Sequence, residues 1–416
     1  MSTTVSGSIL SLAWRNIWRH KRRTLLTISG IGFSAFLFVF VIPLQFGAYD
    51  TITDATLRTF LGYAQIQRPG YQQQPQIHNT IDGAEQLGKQ IRRSGEFDAV
   101  AVRATGFALI SSKDRSYGAQ VAGVEIEYEQ GVSIIPGKIV EGRYLGADNA
   151  NELVVGAALA RNLKIRLGDE ITLLGTGKDG SIAATILPVV GIFKSGVDEF
   201  DRYMSQMPIK TFQQVFSMGD SAHNITVIGK NIQELEQVPL KLSRFISYTR
   251  DLVVVDWGEL APGIKEGLEL DKVSGLLFML ILVIVVVFSI FNTFLMSVLE
   301  RTKEFGLMLA LGSRPSHISR LVMLESMLLT LLGLALGIIG GMALNLYFLD
   351  VGFMYPGVDE ILEQYNMAFL DKIYPQITLF NIFFGPVVIL IATNIAAWIP
   401  LARIHRLKPT EAMRTV

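Results

Sequence analysis

Four stretches of the chain run beyond about 20 residues without a Lys, Arg, Asp or Glu: Leu25–Gly47, Leu276–Leu299, Ser326–Leu349 and Ile377–Ala402. A helix of that length crosses the hydrocarbon core of a bilayer. Inside that core only helices and closed barrels satisfy every backbone polar group. The chain is therefore read as an α-helical membrane protein with four transmembrane helices. A mean hydropathy of +0.38 agrees. The first run exceeds a signal-peptide core, and no clear small-x-small cleavage site follows it, so it is expected to be retained.

The placement of Lys and Arg orients the helices. The N-terminal arm carries Arg15, Arg19, Lys21, Arg22 and Arg23 and no acid. The connector after the second run carries Arg301, Lys303, Arg314 and Arg320, and the C-terminal tail carries Arg403, Arg406, Lys408 and Arg414. The connector between runs three and four is acidic, with Asp350, Asp359, Glu360, Glu363 and Asp371 against Lys372 alone. A four-span path puts every basic piece on one side. Both termini are then cytoplasmic, and the long segment after the first run lies outside. The formal net charge of zero is a sum of segregated parts and points to no nucleic acid. The chain has no cysteine, so the outside segment holds no disulfide.

The expected plan follows: a cytoplasmic interfacial helix over 1–24, transmembrane helices at 25–47, 276–299, 321–349 and 377–402, an α+β extracytoplasmic domain over 48–272, a cytoplasmic connector at 300–320, an outside loop at 350–376 and a cytoplasmic tail at 403–416. Ile9, Leu12, Ala13 and Ile17 repeat at helical spacing beside Trp14 and Trp18, a pattern suited to the headgroup layer. In the outside segment, helices are expected at Ile81–Arg93, Gly156–Leu163 and Lys210–Phe216, with a further one at Ile232–Phe245 interrupted by Pro239. Strands are expected at Ala99–Ala108, Gly118–Val124, from Ile171, at Ile182–Ile192 and at Asn224–Gly229, with a hairpin tip at Gly175–Gly180. Asp198, Glu199 and Asp201 read as a solvated loop. In the third run Gly333, Gly337 and Gly341 are spaced four apart and offer a face for close helix packing.

No G-x-x-x-x-G-K-S/T and no H-E-x-x-H occurs, and the five histidines are scattered. No catalytic cluster and no metal site is expected. The most specific stretch is Ser297–Ser313. It is a mixed-charge helix between two apolar runs, closed by Gly312 and Pro315. Phe305, Met308 and Leu309 share a face, with Leu307 nearby and Arg301 and Glu304 flanking. Their pattern fits a docking element on which a cytoplasmic partner acts. Glu325 abuts the third run, either as a functional acid or as one that snorkels to water.

Ala13-Trp-Arg-Asn-Ile-Trp-Arg-His-Lys-Arg-Arg-Thr-Leu-Leu-Thr-Ile-Ser-Gly-Ile31 resembles the N-terminal signature of MacB/LolC/FtsX-type (type VII) ABC transporter permeases. Glu300-Arg-Thr-Lys-Glu-Phe-Gly-Leu-Met-Leu-Ala-Leu-Gly-Ser313 resembles their cytoplasmic coupling segment, and Pro400-Leu-Ala-Arg-Ile-His-Arg-Leu-Lys-Pro-Thr-Glu-Ala-Met-Arg414 their C-terminal end. The likeness covers the chain and is nearest to lipoprotein-releasing LolC/LolE-type permeases. It implies a non-catalytic inner-membrane subunit with no cofactor of its own, working with a cytoplasmic ATPase dimer that carries ATP and magnesium. A second permease chain, identical or paralogous, and a periplasmic carrier or adaptor complete the assembly. ATP-driven movement of the coupling segment is passed by mechanotransmission to the outside domain, which extracts or exports a lipoprotein or other amphiphile. The outside domain would comprise a porter part near Tyr49–Gly95 and Leu187–Lys272 and a sabre part between. The hairpin tip at 175–180 is shorter than that of carrier-recruiting permeases. Phe46, Tyr49, Val273, Leu276 and Leu277, at the outer ends of the first two helices, are the expected contacts for acyl chains. The alternative within the family is an FtsX-like transducer that controls a periplasmic cell-wall enzyme.

Overall fold

The structure, a computed structural model, describes residues 3–113, 115–248, 251–354 and 372–405. The acids Asp359, Glu360, Glu363 and Asp371 and the basic tail residues Arg406, Lys408 and Arg414 lie outside the described residues. The chain divides into a helical unit (Met1–Tyr49, Glu269–Phe353 and Lys372–Val416) and a second unit built mainly from Asp50–Leu268.

The helical unit contains α1 (Thr3–Ile17), α2 (Lys21–Thr56), α3 (Pro262–Glu300), α4 (Thr302–Ala310), α5 (Pro315–Val351) and α6 (Leu379–His405). Helices α2, α3, α5 and α6 are long and apolar enough to cross a membrane. The apolar runs understate these helices, most of all the first two. Helix α2 continues through 48–56, and α3 begins fourteen residues before Leu276. Asp50, Asp54, Lys265, Glu266 and Asp271 in those extensions suit a helix in water, where charge does not interrupt the hydrogen-bond ladder. Ile31, Ala35, Phe38 and Ile42 recur at four- and three-residue steps along α2 and meet Ile290 and Phe294 of α3, Leu334 of α5 and Ile389 of α6 in one core.

The glycines of α5 face α2. A Cβ on Gly333 would lie 2.7 Å from the Ile31 side chain, one on Gly337 2.5 Å from Ala35 Cβ and from the Gly32 carbonyl, and one on Gly341 2.8 Å from Val39 Cβ. The stripe lets two backbones of the same chain touch, which branched side chains would forbid. The apolar pattern of α1 is divided. Ala13 and Ile17 are buried, whereas Leu12, Trp14 and Trp18 are exposed.

The second unit is a ten-stranded sheet with helices packed on it. Its strands are β1 (Ala64–Gln67), β2 (Ala99–Ser111), β3 (Ser116–Val124), β4 (Ile139–Gly142), β5 (Leu153–Gly156), β6 (Glu170–Thr176), β7 (Ile182–Phe193), β8 (Met204–Pro208), β9 (Asn224–Ile228) and β10 (Val253–Asp256). The order is β10-β1-β9-β2-β3-β8-β5-β7-β4, and β6 pairs with both β2 and β7. The ring β2-β3-β8-β5-β7-β6 therefore closes on itself, which removes edges that would otherwise invite pairing with another chain. Strand β2 joins the two regions. Its first half pairs with β9 and its last residues pair with β6, while β3 runs along its other side. Accordingly its first half is buried on both faces, and Phe107 and Leu109 then alternate outward against buried Ala108 and Ile110.

A buried ion pair organises this unit. Arg103 and Glu129 are wholly buried. Arg103 donates through Nε to Oε2 at 2.9 Å and through Nη2 to Oε1 at 2.7 Å, and through Nη1 to the Phe60 carbonyl. The guanidinium lies 4.3 Å from the Phe60 ring centroid. Burial raises the Glu129 carboxyl above its usual range against the pull of Arg103.

Two expectations for this unit need correction. Asp198, Glu199 and Asp201 open a short helix, Asp198–Tyr203, rather than a solvated loop. Asp201 is fully buried and accepts from the Ser195 N–H, and burial raises its carboxyl. The expected helix Ile232–Phe245 is a 3₁₀ turn, Ile232–Gln237, followed by a short helix, Val238–Ser243, because Pro239 fits only within a first helical turn. The hairpin tip lies against the body of the domain: Lys178 bonds Asp82 at 3.1 Å and Ser221 at 2.8 Å, and its N–H donates to the Phe216 carbonyl.

Candidate coupling site

Helix α4 is the short element between α3 and α5, and local chemistry sets its C-terminal end. At its C-terminus the Gly312 N–H donates to the Leu309 carbonyl and the Ser313 N–H to the Met308 carbonyl, with Gly312 at φ 91°. This paired capping suits glycine, because other residues strain at positive φ. Pro315 then occupies the first turn of α5, where its missing N–H costs nothing.

The apolar face of α4 does not point outward, which corrects the expected docking surface. Phe305 is 1 % exposed and packs with Val298, Ile318 and Val322, with Met308 and Leu309 partly buried beside them. Helical spacing found the face, but the flanking ends of α3 and α5 cover it. Leu307 and Leu311 are the large apolar side chains left exposed, at 57 % and 79 %, among exposed Lys303, Glu304 and Arg314.

Charged side chains clip α4 to the rest of the unit. Arg301 stands between two acids. Its Nη1 donates to Glu325 Oε2 at 2.7 Å and its Nε to Glu304 Oε2 at 3.2 Å. The other oxygen of Glu325 accepts from Asn16 Nδ2 at 2.7 Å. The Glu325 side chain is 11 % exposed, so it does not extend to solvent; it ties α1, α4 and α5 together. Two outer pairs add to this, Arg19 with Glu304 at 3.1 Å and Arg23 with Glu300 at 2.7 Å. A cavity of about 40 Å³ lies beside the cluster, lined by Asn16, Thr24, Thr27, Thr293, Arg301 and Glu325. That is room for roughly one or two waters among polar groups. Asn16, Arg19 and Arg23 were not singled out from the sequence as partners. The available signal was the acid-free basic arm set against Glu300, Glu304 and Glu325.

At the opposite ends of α2 and α3, Phe46 and Tyr49 are in edge-to-face contact at 6.0 Å. The Tyr49 hydroxyl donates to Asp271 at 2.6 Å and accepts from Gln45 at 2.7 Å. Val273, Leu276 and Leu277 are 57–58 % exposed on α3. Tyr49 is thus joined to α3 through Asp271, while the three aliphatic residues lie exposed on α3.

Two family models match the sequence: the MacB-like periplasmic core domain over residues 24–242 and the FtsX-like permease C-terminal region over 276–409. The chain is 21 % identical to the lipoprotein-releasing system transmembrane protein LolE of Haemophilus influenzae, across 95 % of this chain and 97 % of that one. It is 20 % identical to LolC of Neisseria meningitidis, across 94 % of each. It is 23 % identical to a macrolide export ATP-binding/permease protein MacB of Yersinia pestis, across 97 % of this chain but 60 % of the relative. With both matched regions falling in order along one chain, it belongs to the MacB/LolC/FtsX-type family of ABC transporter permeases.

Proposed function

We propose that the chain is the membrane subunit of an inner-membrane ABC transporter that extracts or exports a lipoprotein or other amphiphile. A separate ATPase dimer, carrying ATP and magnesium, docks on its cytoplasmic face, and a second permease chain, identical or paralogous, completes the assembly. The single observation that carries this reading is α4. It is a short helix capped at its C-terminus, clipped through Arg301, Glu304 and Glu325 to the basic arm and α5, yet presenting Leu307 and Leu311 outward. A rigid helix with an exposed apolar tip is what a partner's groove can push on, because a desolvated apolar knob carries much of a contact's energy. Phe305, Met308 and Leu309 support the element from within.

In this reading the N and C termini are cytoplasmic, the four long helices span the bilayer, and the sheet unit is the periplasmic domain with its porter and sabre parts. Motion of α4 passes along the spans by mechanotransmission, with no polar pathway through them. Phe46, Tyr49, Val273, Leu276 and Leu277 meet acyl chains where the outer leaflet ends. Each buried CH₂ is worth about 0.8 kcal/mol, so withdrawing a whole acyl chain needs ATP. The names of the LolC and LolE relatives favour lipoprotein as cargo. The hairpin tip folded against Asp82 and Ser221 does not favour capture of a carrier there.

The test is co-purification of the ATPase with tagged full-length chain from its own host, with ATP turnover measured in membranes. Leu307→Glu with Leu311→Glu is expected to release the ATPase while the permease stays folded. Retention of the ATPase at wild-type stoichiometry and turnover would overturn α4 as the docking element.

A further inference from the structure

Pro43 lies in the interior of α2. Proline has no N–H, so the carbonyl four residues earlier, that of Val39, loses its donor within the helix. In the middle of an apolar bundle such a carbonyl is costly unless another group supplies the bond. Asn345 of α5 supplies it. Its Nδ2 donates to the Val39 carbonyl at 2.7 Å, and the side chain is wholly buried. The Asn345 Oδ1 has no partner among the described residues, so the buried amide is used for its donor alone. One turn earlier Gly341 lets α5 approach Val39 closely enough for this bond. The Pro43 carbonyl in turn accepts from the Gln376 N–H at 2.8 Å, just ahead of α6.

We propose that Asn345 is a positioning residue that closes the gap left by Pro43 and locks α2 to α5. A proline in a long helix is ordinarily a bend point, because a missing bond and an unpaired carbonyl lower the resistance to flexing. Here the missing bond is replaced from the neighbouring helix. The flexible point becomes a cross-link, placed at the end of the seam formed by Gly333, Gly337 and Gly341. The purpose of the lock, passing a push on α5 into α2, rests on the transport reading above; the lock itself does not.

The chain has no native cysteine. Val41→Cys and Leu346→Cys, at positions 44 % and 51 % exposed on α2 and α5, can therefore be spin-labelled and their separation measured in lipid nanodiscs without any ATPase. The expected distribution is single and narrow in the parent chain. It broadens or splits with Asn345→Leu, which keeps the bulk of the side chain but loses the donor. Pro43→Ala restores an N–H to α2. In that background Asn345→Leu should leave the distribution narrow, since the helix now bonds its own carbonyl. A distribution indifferent to Asn345 overturns the proposal, and so does equal broadening with Pro43 and with Ala at that position. Failure of the transport reading would instead appear as retention of the ATPase by the Leu307→Glu, Leu311→Glu chain, with this distance unchanged.

Discussion

Replacing Glu325 with alanine should detach α4 from the bundle. The carboxylate accepts two bonds of 2.7 Å, from Arg301 and Asn16. Hydrogen bonds to a charged group contribute about 1.5–3 kcal/mol each. Arg301 keeps Glu304, and water from the adjoining cavity can reach the vacated site, so the loss should lie near the lower end of the sum, about 3 kcal/mol. That is roughly a hundredfold rise in the detached population. Amide hydrogen exchange reads such local opening directly. Phe305 and Leu311, whose N–H groups donate to Arg301 and Leu307 in the closed form, should exchange about a hundredfold faster. Glu325→Gln still accepts from Asn16 but loses the charge facing Arg301, so the effect should be about tenfold. Arg19→Ala removes a pair with side chains 63 % and 44 % exposed, worth about 0–1 kcal/mol, and should change exchange less than about fivefold. Unchanged α4 exchange in Glu325→Ala, or a larger effect from Arg19→Ala, would refute the hub.

In the sheet unit, Arg103→Met leaves Glu129 buried without its partner and should cost about 3–5 kcal/mol in unfolding followed by Trp257 fluorescence, partly recovered by adding Glu129→Gln. In the single variant the folded Glu129 carboxyl titrates well above its unfolded value. Its stability is then greatest below about pH 4.3 and lost as pH rises. His223 carries the opposite dependence in the parent chain. Its Nδ1 accepts from the Thr105 N–H at 2.9 Å, its Nε2 faces the Ile77 carbonyl at 3.0 Å, and burial pushes its pKa down to about 4. A depressed base stabilises the fold above its unfolded pKa of about 6.5 and loses that contribution as pH falls toward 4, a change of about 3 kcal/mol; His223→Gln should flatten thermal stability across that window. Gly337→Leu should force α5 from α2 within one chain, lowering the thermal stability of the helical unit by about 3 kcal/mol or more, because the contact at 2.5 Å leaves no space.

What the sequence revealed depended on how locally each feature is encoded. Uncharged runs of more than about 20 residues announce helices directly. Their ends did not show, because Asp50, Asp54 and Asp271 look like the start of a loop and are in fact helical. Strands β2, β3, β7 and β9 were legible as β-rich segments. Strand β1 was not, since its buried Gln65 and Gln67 break apolar patterning; they sit between β10 and β9, where neighbouring polar groups such as Leu61 O receive their amides. Phe305, Met308 and Leu309 were recognisable as a face, but spacing does not say whether a face meets a partner or its own chain. The Asn345–Val39 bond joins residues 306 positions apart and leaves no local trace.

Helix α3 shows how differently the long helices are held. Only 6 % of its most apolar window is buried, against 44 %, 28 % and 39 % for the other three. Met279, Val283, Val286, Ile290 and Phe294 recur at three- and four-residue steps and face the core, while Leu276, Leu277, Leu280, Ile284 and Phe288 remain outside. In water that surface would demand a partner. In lipid it does not, because hydrocarbon tails are as apolar as leucine and helices there associate through close packing and polar bonds. Helix α5 uses both, through its glycine seam and Asn345. By contrast, α3 is tied to α2 by polar bonds near the ends of its apolar run, at Asp271 with Tyr49 and Glu300 with Arg23. A second chain or an acyl group reaching α3 between those ties displaces lipid rather than protein. Under the transport reading proposed above, Leu276 and Leu277 are therefore easier places to admit an acyl chain than any position along the α2–α5 seam.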